Sequence, residues 1–345
     1  MARLRWTSVP LTALLLVAAL PFGACFEPRD PEVDFEEKTC GETSDNRQPS
    51  PAVESKTGVL SAAAHRLADG TIEVVIAPLV TGTVDIVADL DPASLEVRLD
   101  GQVTADFELD KVSQEIPAAV DIVFVLDTTG SMAWAIDGVK QGIDLFLDGL
   151  DATGIDAQVG GIEFGDGIRS DVELGTTDDL RHWLDLLTAT GGGDGPENPL
   201  DSMEKAFMQM QWREGALPYF IVITDVGFHE GSDGSECAEA DLADVTELIE
   251  GNAMLTVVHA GNRGGPGVDP DWLVRAMGGL YVSLDGISIF SDFDVALDTP
   301  ADDVLESTHV LRIPAGDATA SASQLGLSYT VGGQTLTLDT AIAGG

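Results

Sequence analysis

The pattern of hydrophobic and polar positions changes twice along this chain of 345 residues. Residues 71–109 contain short runs with strand character, TIEVVIA, TVDIVADL, SLEVRLDG and VTADFEL, separated by Gly, Pro, Asp and Ser. Similar runs return near the C terminus as THVLRIP, LGLSYTV and QTLTLDT, and Gly332-Gly333 predicts a two-residue hairpin between the last two. The seven runs suggest an immunoglobulin-like β-sandwich, built from residues 57–117 and 307–345.

Two independent β pieces are the alternative arrangement of these strands. Each piece would leave exposed strand edges and only half of a hydrophobic core, so we favour the shared sandwich. On this interpretation, the segment between the two halves is a domain inserted into the sandwich.

Between residues 118 and 306 the pattern changes to apolar strands that alternate with helical segments. Residues 120–126 (VDIVFVL) form a nearly continuous apolar run, which is typical of a strand buried on both faces of a parallel sheet. Later runs are AQVGGIEF, YFIVIT, LTVVHA and residues 279–283, with room for helices at 134–150, 178–187, 200–212, 241–250 and 271–277. The pattern predicts a doubly wound, mostly parallel α/β domain.

Residues 1–25 resemble an export signal. Basic residues precede an apolar run at residues 11–20, which is too short to span a bilayer. The following segment FGAC ends at Cys25 and resembles the lipobox of bacterial lipoproteins, whose cysteine is acylated. We expect a lipoprotein anchored in a bacterial cell envelope through Cys25. Simple secretion is the alternative, because Phe22 stands where the lipobox usually has Leu.

Residues 26–56 are rich in Pro, Glu, Asp and Ser and have no periodic apolar spacing, which predicts a disordered acidic tether. Apart from Cys25, the chain has only two cysteines, Cys40 and Cys237. In an exported protein these two suggest one disulfide, and two free thiols are the alternative.

The charge of the chain excludes some classes of function. The 59 acidic and 17 basic residues give a formal net charge of −42, so DNA, RNA and acidic membrane surfaces repel the chain. We therefore expect no nucleic-acid partner. The main interpretation of this acidity is solubility or adaptation to salty surroundings, and attraction of cations is the second.

Three acidic segments lie at the edge of the predicted sheet where ligands bind. They are Asp127-Thr-Thr-Gly-Ser131, the segment GGGDGPE with Asp194 and Glu197, and Asp225 after YFIVIT. One carboxylate and two hydroxyls spaced by two residues can face the same side of a tight turn, and with further carboxylates they suit a hard cation such as Mg²⁺. Hydroxyl ligands leave such an ion under-neutralised. An open coordination position would therefore attract an anionic oxygen of a partner.

Four of these residues also have an ordinary structural explanation. Asp127, Thr129 and Ser131 are of the types preferred as helix N-caps, and the helix dipole would favour Glu197 in a first helical turn. The whole set, in three loops, favours a metal site over capping.

The segment FVLDTTGSM resembles the metal-ion-dependent adhesion site (MIDAS) motif of von Willebrand factor A (VWA) domains. GGDGPENPLDSM and ITDVGFHEGSDG are similar to two segments of the integrin β-subunit I-like domain, in the same order along the chain. The resemblance implies that Asp127, Thr129 and Ser131 hold Mg²⁺, or Ca²⁺ or Mn²⁺, as MIDAS residues. It also implies Glu197 and Asp225 as members of the same metal site.

The same resemblance bears on further metal sites. Asp194 matches a residue of a second, synergistic calcium site of integrin β chains, but Gly192 stands where that family has Asn. Trp134 and Ala135 replace the paired Asp residues that build a metal site adjacent to the MIDAS. We therefore expect one metal ion, with Asp194 as a candidate ligand of a second.

The function implied is metal-dependent protein binding without catalysis, in which the cation coordinates an Asp or Glu of a protein partner. The alternative is a structural envelope lipoprotein whose metal only stabilises the loops. Two enzyme classes fit poorly. An aspartic protease needs a second copy of its Asp-Thr-Gly loop, and a haloacid-dehalogenase phosphatase needs an Asp where Thr129 stands.

Overall fold

The computed structural model describes residues 49, 53–153, 155–193, 195–261, 265–284 and 306–344. The export signal with Cys25, the second cysteine Cys40 and the candidate ligand Asp194 lie outside the described residues. None of the described helices is both long enough and apolar enough to cross a bilayer.

Strands from both flanks of the α/β segment share one eight-stranded sheet. The first flank contains β1 Ala62–Arg66, β2 Ile72–Ile76, β3 Leu79–Thr81, β4 Asp85–Val87, β5 Leu95–Leu99, β6 Gln102–Thr104 and β7 Glu108–Lys111. The α/β segment contributes β8 Ala118–Asp127, β9 Ile155–Phe164, β10 Ile168–Gly175, β11 Leu217–Thr224, β12 Met254–His259 and β13 Leu280–Ser283. The second flank contains β14 His309–Ile313, β15 Gln324–Val331 and β16 Gln334–Ala343.

The order of strands in the shared sheet is β6-β5-β15-β16-β1-β2-β14-β7, whereas β3 and β4 pair only with each other. Strands of the two flanks therefore alternate as neighbours, and side chains of both enclose one apolar core. Val74, Val97, Leu311 and Leu325 of this core are all 0 % exposed. The α/β segment lies between β7 and β14 in the chain.

One hairpin of the shared sheet was predicted from the sequence, and one of its strands was not. Gly332 and Gly333 have φ angles of 59° and 81°, and they form the predicted hairpin between β15 and β16. Strand β1 (AAAHR) was not predicted, because its alanines have low strand propensity. Its place between β16 and β2 determines its conformation.

The α/β segment is a six-stranded sheet with helices on both faces. Its strand order is β10-β9-β8-β11-β12-β13, and only β10 runs antiparallel to its neighbour. The helices are α1 Ile136–Thr153, α2 Thr177–Leu186, α3 Pro199–Gln209, α4 Leu242–Ile249 and α5 Asp271–Met277, and a sixth helix, α6 Asp317–Ser321, belongs to the second flank. Thus the predicted doubly wound, mostly parallel domain is confirmed.

Alternating side chains of β8 explain why both faces of this sheet are covered. Ile122, Phe124 and Leu126 belong to the core cluster that contains residues of α1 and α2. Val123 and Val125 belong to the cluster that contains residues of α3, α4 and α5. A strand that is apolar at nearly every position buries both faces, as the sequence predicted.

The first flank contacts the α/β segment near the amino ends of β12 and β13. Ala62 N donates to Gly251 O at 3.0 Å, and Tyr281 N donates to Thr83 O at 2.8 Å. The end of the predicted tether lies against the same segment, since Val53 packs on a core cluster and Lys56 N donates to a main-chain oxygen. These contacts of β12 and β13 lie at the edge opposite to the carboxyl ends of the strands.

His309 at the start of β14 is a buried histidine held in its neutral form. Its Nδ1 lies 3.0 Å from Ser307 O, and Leu90 N donates to its Nε2 at 3.3 Å, which places the proton on Nδ1. Burial lowers the pKa of His309, and the charge of Lys111 lowers it further. The hydrogen bond to Ser307 and the charge of Asp89 oppose this shift.

We expect the free energy of unfolding to decrease as the pH is lowered below the ordinary histidine pKa of 6.5. In that range the histidine of the unfolded chain binds a proton, whereas folded His309 stays neutral. The contribution is complete above this pH and is lost as the pH falls towards the lowered pKa. The loss should be about 1 kcal/mol, the size of the Leu90 hydrogen bond that protonation breaks. Urea unfolding of the wild type and His309→Asn at about pH 8 and about pH 5 measures it. Equal pH dependence in both proteins would contradict the prediction.

Candidate metal centre

Four oxygen-bearing side chains form one continuous chain of contacts at the carboxyl edge of the α/β sheet. Thr129 Oγ1 donates to Asp127 Oδ1 at 2.7 Å and lies 3.0 Å from Ser131 Oγ. Ser131 Oγ donates to Asp225 Oδ1 at 2.9 Å. The segment after β8 and the residue after β11 are thus brought together, because these two strands are parallel neighbours.

This chain of contacts has fewer hydroxyl protons than oxygen–oxygen contacts. Thr129 and Ser131 supply two hydroxyl protons for three oxygen–oxygen contacts. When both protons point at the carboxylates, the two hydroxyl oxygens face each other without a proton between them. A cation beside them would remove this repulsion, since their lone pairs would point at it.

The local backbone explains how Asp127 and Thr129 face each other. Asp127 is the last residue of β8, and its Oδ1 also accepts a hydrogen bond from Thr129 N at 2.9 Å. Thr129 precedes a short 3₁₀ helix, Gly130–Trp134, but its side chain makes no capping hydrogen bond. For Thr129, the capping explanation therefore does not apply.

Glu197 lies next to this chain of contacts. It is 2 % exposed and is fixed through its backbone, because Glu197 N donates to Gly227 O at 3.0 Å. An ideal Cβ on Gly192 would lie 3.2 Å from Glu197 Oε1 and 3.3 Å from Thr129 Cβ. Glu197 and Thr129 therefore border the same small space, which the missing side chain of Gly192 leaves open.

Burial disfavours the charged form of both carboxylates in this contact chain. Burial is the main cause that raises the pKa of Asp127, and the hydrogen bonds from Thr129 and Thr224 and the charge of Arg169 oppose it. The pKa of Asp225 is raised to about 6 by burial and then by the charge of Asp127, against the Ser131 hydrogen bond. A positive charge at this place would stabilise both carboxylates.

Sequence reasoning missed two buried residues of this region. Thr224 Oγ1 donates to Asp127 Oδ2 at 2.8 Å, so both oxygens of that carboxylate are held. Asp166 is 4 % exposed, and its Oδ2 accepts a hydrogen bond from Gly193 N at 2.9 Å. Its position two residues after the second apolar strand of the α/β segment was the available signal.

The donor set fits a hard divalent cation. All side chains of the contact chain offer oxygen, as Mg²⁺, Ca²⁺ and Mn²⁺ prefer. No group of three or more His, Cys, Asp or Glu side chains that could hold a metal occurs within the described ranges. A centre in which two of the donors are hydroxyls does not require such a group. Trp134, which replaces one of the paired Asp residues that the resemblance associates with an adjacent metal site, is 41 % exposed.

Known proteins support the fold of this segment. The family model described as von Willebrand factor type A domain matches residues 121–263, which confirms the VWA fold predicted for the α/β segment. The flanking strands lie outside this match. A comparison with curated proteins found no match.

Three solved structures are similar to the chain at low identity. Proximal thread matrix protein 1 from the mussel byssus has 13% identity and a TM-score of 0.44, with 61% of this chain and 50% of that chain covered. An aerotolerance-related membrane protein from Bacteroides fragilis has 15% identity, a TM-score of 0.36 and coverages of 52% and 99%. The manganese-loaded TRAP protein of Plasmodium vivax has 17% identity, a TM-score of 0.37 and coverages of 68% and 96%. The present chain thus spans half the length of the mussel protein.

Cys237 lies close to the candidate metal centre. It is disulfide-bonded and 4 % exposed, and its partner is outside the described residues. Asn198 Nδ2 donates to Cys237 O at 2.7 Å, and Asn198 directly follows Glu197. The disulfide therefore anchors a loop that contacts the segment carrying a candidate ligand.

We predict that Cys40 is the partner of Cys237. Proteolytic digestion of unreduced protein should give one peptide pair that joins the two cysteines, and reduction should separate it. Mass spectrometry of the digest before and after reduction measures this. Recovery of Cys40 as a free thiol in the unreduced digest would show that the pairing is wrong.

Proposed function

We propose that this chain is a metal-dependent protein-binding protein of the cell envelope. In this proposal a divalent cation, Mg²⁺ or else Ca²⁺ or Mn²⁺, is held by Asp127, Thr129 and Ser131 together with Glu197 and Asp225. The contact chain from Asp127 to Asp225 carries the proposal, because it joins two carboxylates and two hydroxyls of separate loops within hydrogen-bonding distance. VWA domains often mediate protein–protein interaction and adhesion, which agrees with this role.

The side chains of the proposed site have different roles in binding the ion. Asp127 is held at both oxygens and would contribute negative charge to a bound ion. Thr129 and Ser131 contribute neutral oxygens and no charge. We propose that one coordination position of the bound ion beside these hydroxyls stays open, and that the carboxylate of an Asp or Glu on a protein partner fills it.

The exposure of these residues indicates where the partner would approach. Asp127, Thr129 and Glu197 are at most 2 % exposed, whereas Ser131 is exposed. The site therefore opens on the side of Ser131, and we propose that the partner carboxylate enters there.

The envelope location rests on the sequence. We propose that Cys25 is acylated and that the segment after it connects the folded part to the membrane. Secretion without a lipid anchor is the alternative. The net charge of −42 argues against nucleic acid as a partner. Asp194 remains a candidate ligand for a second ion.

We expect Asp127→Ala to abolish binding of Mn²⁺, because it removes the carboxylate that both Thr129 and Thr224 orient. Isothermal titration calorimetry of the metal-free protein with MnCl₂ measures this. Asp137→Ala is a matched control, since Asp137 is an exposed acid in the first turn of α1 and should bind as the wild type does. Wild-type affinity in Asp127→Ala would refute the metal assignment.

We further expect partner binding to depend on the metal. Wild-type protein should capture an envelope protein in the presence of Mg²⁺, release it with EDTA, and fail to capture it when Asp127 is replaced by Ala. Neutralising a surface acid of the captured protein should also abolish capture. If EDTA lowers the melting temperature but leaves capture unchanged, the metal only stabilises the loops and the scaffold alternative is correct.

A further inference from the structure

Two loops meet at the candidate metal centre. One is the segment 127–131, and the other is the segment 189–193, which leads to Glu197. Thr190 N donates to Thr128 O at 2.9 Å, and Gly130 N donates to Gly191 O at 2.7 Å. These backbone hydrogen bonds set the place of the Thr129 and Ser131 hydroxyls relative to Glu197.

Arg169 of the edge strand β10 joins the two loops with a single guanidinium nitrogen. Its Nη1 donates to Thr128 O at 2.7 Å, to Thr128 Oγ1 at 3.1 Å and to Thr190 O at 2.8 Å. The Thr128 hydroxyl donates in turn to Glu163 Oε1 at 2.8 Å. Thr128, buried between Asp127 and Thr129, is therefore fixed at both its main chain and its side chain.

Gly165 makes room for this guanidinium. An ideal Cβ on Gly165 would lie 2.7 Å from Arg169 Cζ and closer still to Nη2. The nearest atoms to that Cβ all belong to the end of the Arg169 side chain. The guanidinium thus occupies the space that a side chain at position 165 would need.

We infer that Arg169 is a positioning residue that holds the segments 127–131 and 189–193 in the arrangement required for the metal before the metal binds. This inference rests on the proposed metal site. The guanidinium is always charged, so it partly offsets the negative charge of Asp127 in the metal-free protein. It also fixes the two loops relative to each other, which lowers the conformational cost of bringing the ligands together.

Two variants remove this function in different ways. Arg169→Gln removes the charge and the guanidinium, whereas Gly165→Ala keeps the arginine and displaces its end. Both should weaken Mn²⁺ binding by about 10–100-fold, the usual effect of losing a residue that orients metal ligands. The double variant should be no weaker than either single variant, because both act through the same guanidinium.

Each variant has a matched control. Arg181→Gln removes the same charge from α2, where Arg181 pairs with exposed Asp144 and Asp148. Gly167→Ala adds the same methyl group two residues away, where an ideal Cβ meets nothing within 4 Å. Calorimetric titration with MnCl₂ should give both controls the affinity of the wild type.

Amide hydrogen exchange of the metal-free proteins gives a reading that does not depend on bound metal. The amides of Gly130 and Thr190 should exchange faster in Arg169→Gln and Gly165→Ala than in the wild type or the controls. A variant that had lost its general fold would instead exchange faster throughout the core strand β8, so the two effects are distinguishable.

The outcomes separate this inference from the proposed function. If the wild type binds Mn²⁺ and both variants bind it equally well, the inference is overturned while the metal site stands. If the wild type does not bind Mn²⁺, the proposed function fails and the inference fails with it. Weakened binding with faster exchange at both amides, and no change in the controls, supports the inference.

Discussion

The burial of the Asp127 carboxylate is the constraint on which the site depends. A charged carboxylate that is 1 % exposed needs hydrogen bonds or a counter-charge, because its hydration has been lost. Thr129 and Thr224 supply the hydrogen bonds, but Asp225 brings a second negative charge to the same place. These hydrogen bonds do not balance the negative charge of the two carboxylates. A cation at the carboxyl edge would balance it, and the Thr129 and Ser131 hydroxyls lie between the two carboxylates there.

The α/β sheet explains why the two carboxylates lie close together. Strands β8 and β11 are parallel neighbours, so the acids at their carboxyl ends must be close. The apolar runs and the order of the acidic segments made this predictable from the sequence, since a strand that is apolar at nearly every position has few alternatives to the middle of a parallel sheet. The distances between the apolar strands leave room for crossover helices, so the helices on both faces could also be predicted.

The interactions around Asp127 were not predictable in the same way. Thr224 is one of many residues that end a strand, and only the register of β11 against β8 brings its hydroxyl to Asp127. Arg169 lies in IRSDVELG, which was not recognised as a strand, and the pairing of β10 with β9 is interrupted by a register shift between residues 168 and 170. Short polar edge strands carry little hydrophobic periodicity. Their side-chain partners are therefore determined by tertiary contacts.

The position of the α/β segment between β7 and β14 would determine how a force applied to this segment is distributed. The two strands are antiparallel neighbours, so the chain leaves the shared sheet and returns to it at the same end of this pair. Val112 N, just after β7, donates to Thr308 O, just before β14, at 3.0 Å. A pull on the inserted segment would therefore be divided between two strands loaded in the same direction. Domains joined in series by one linker would pass the whole force through that linker.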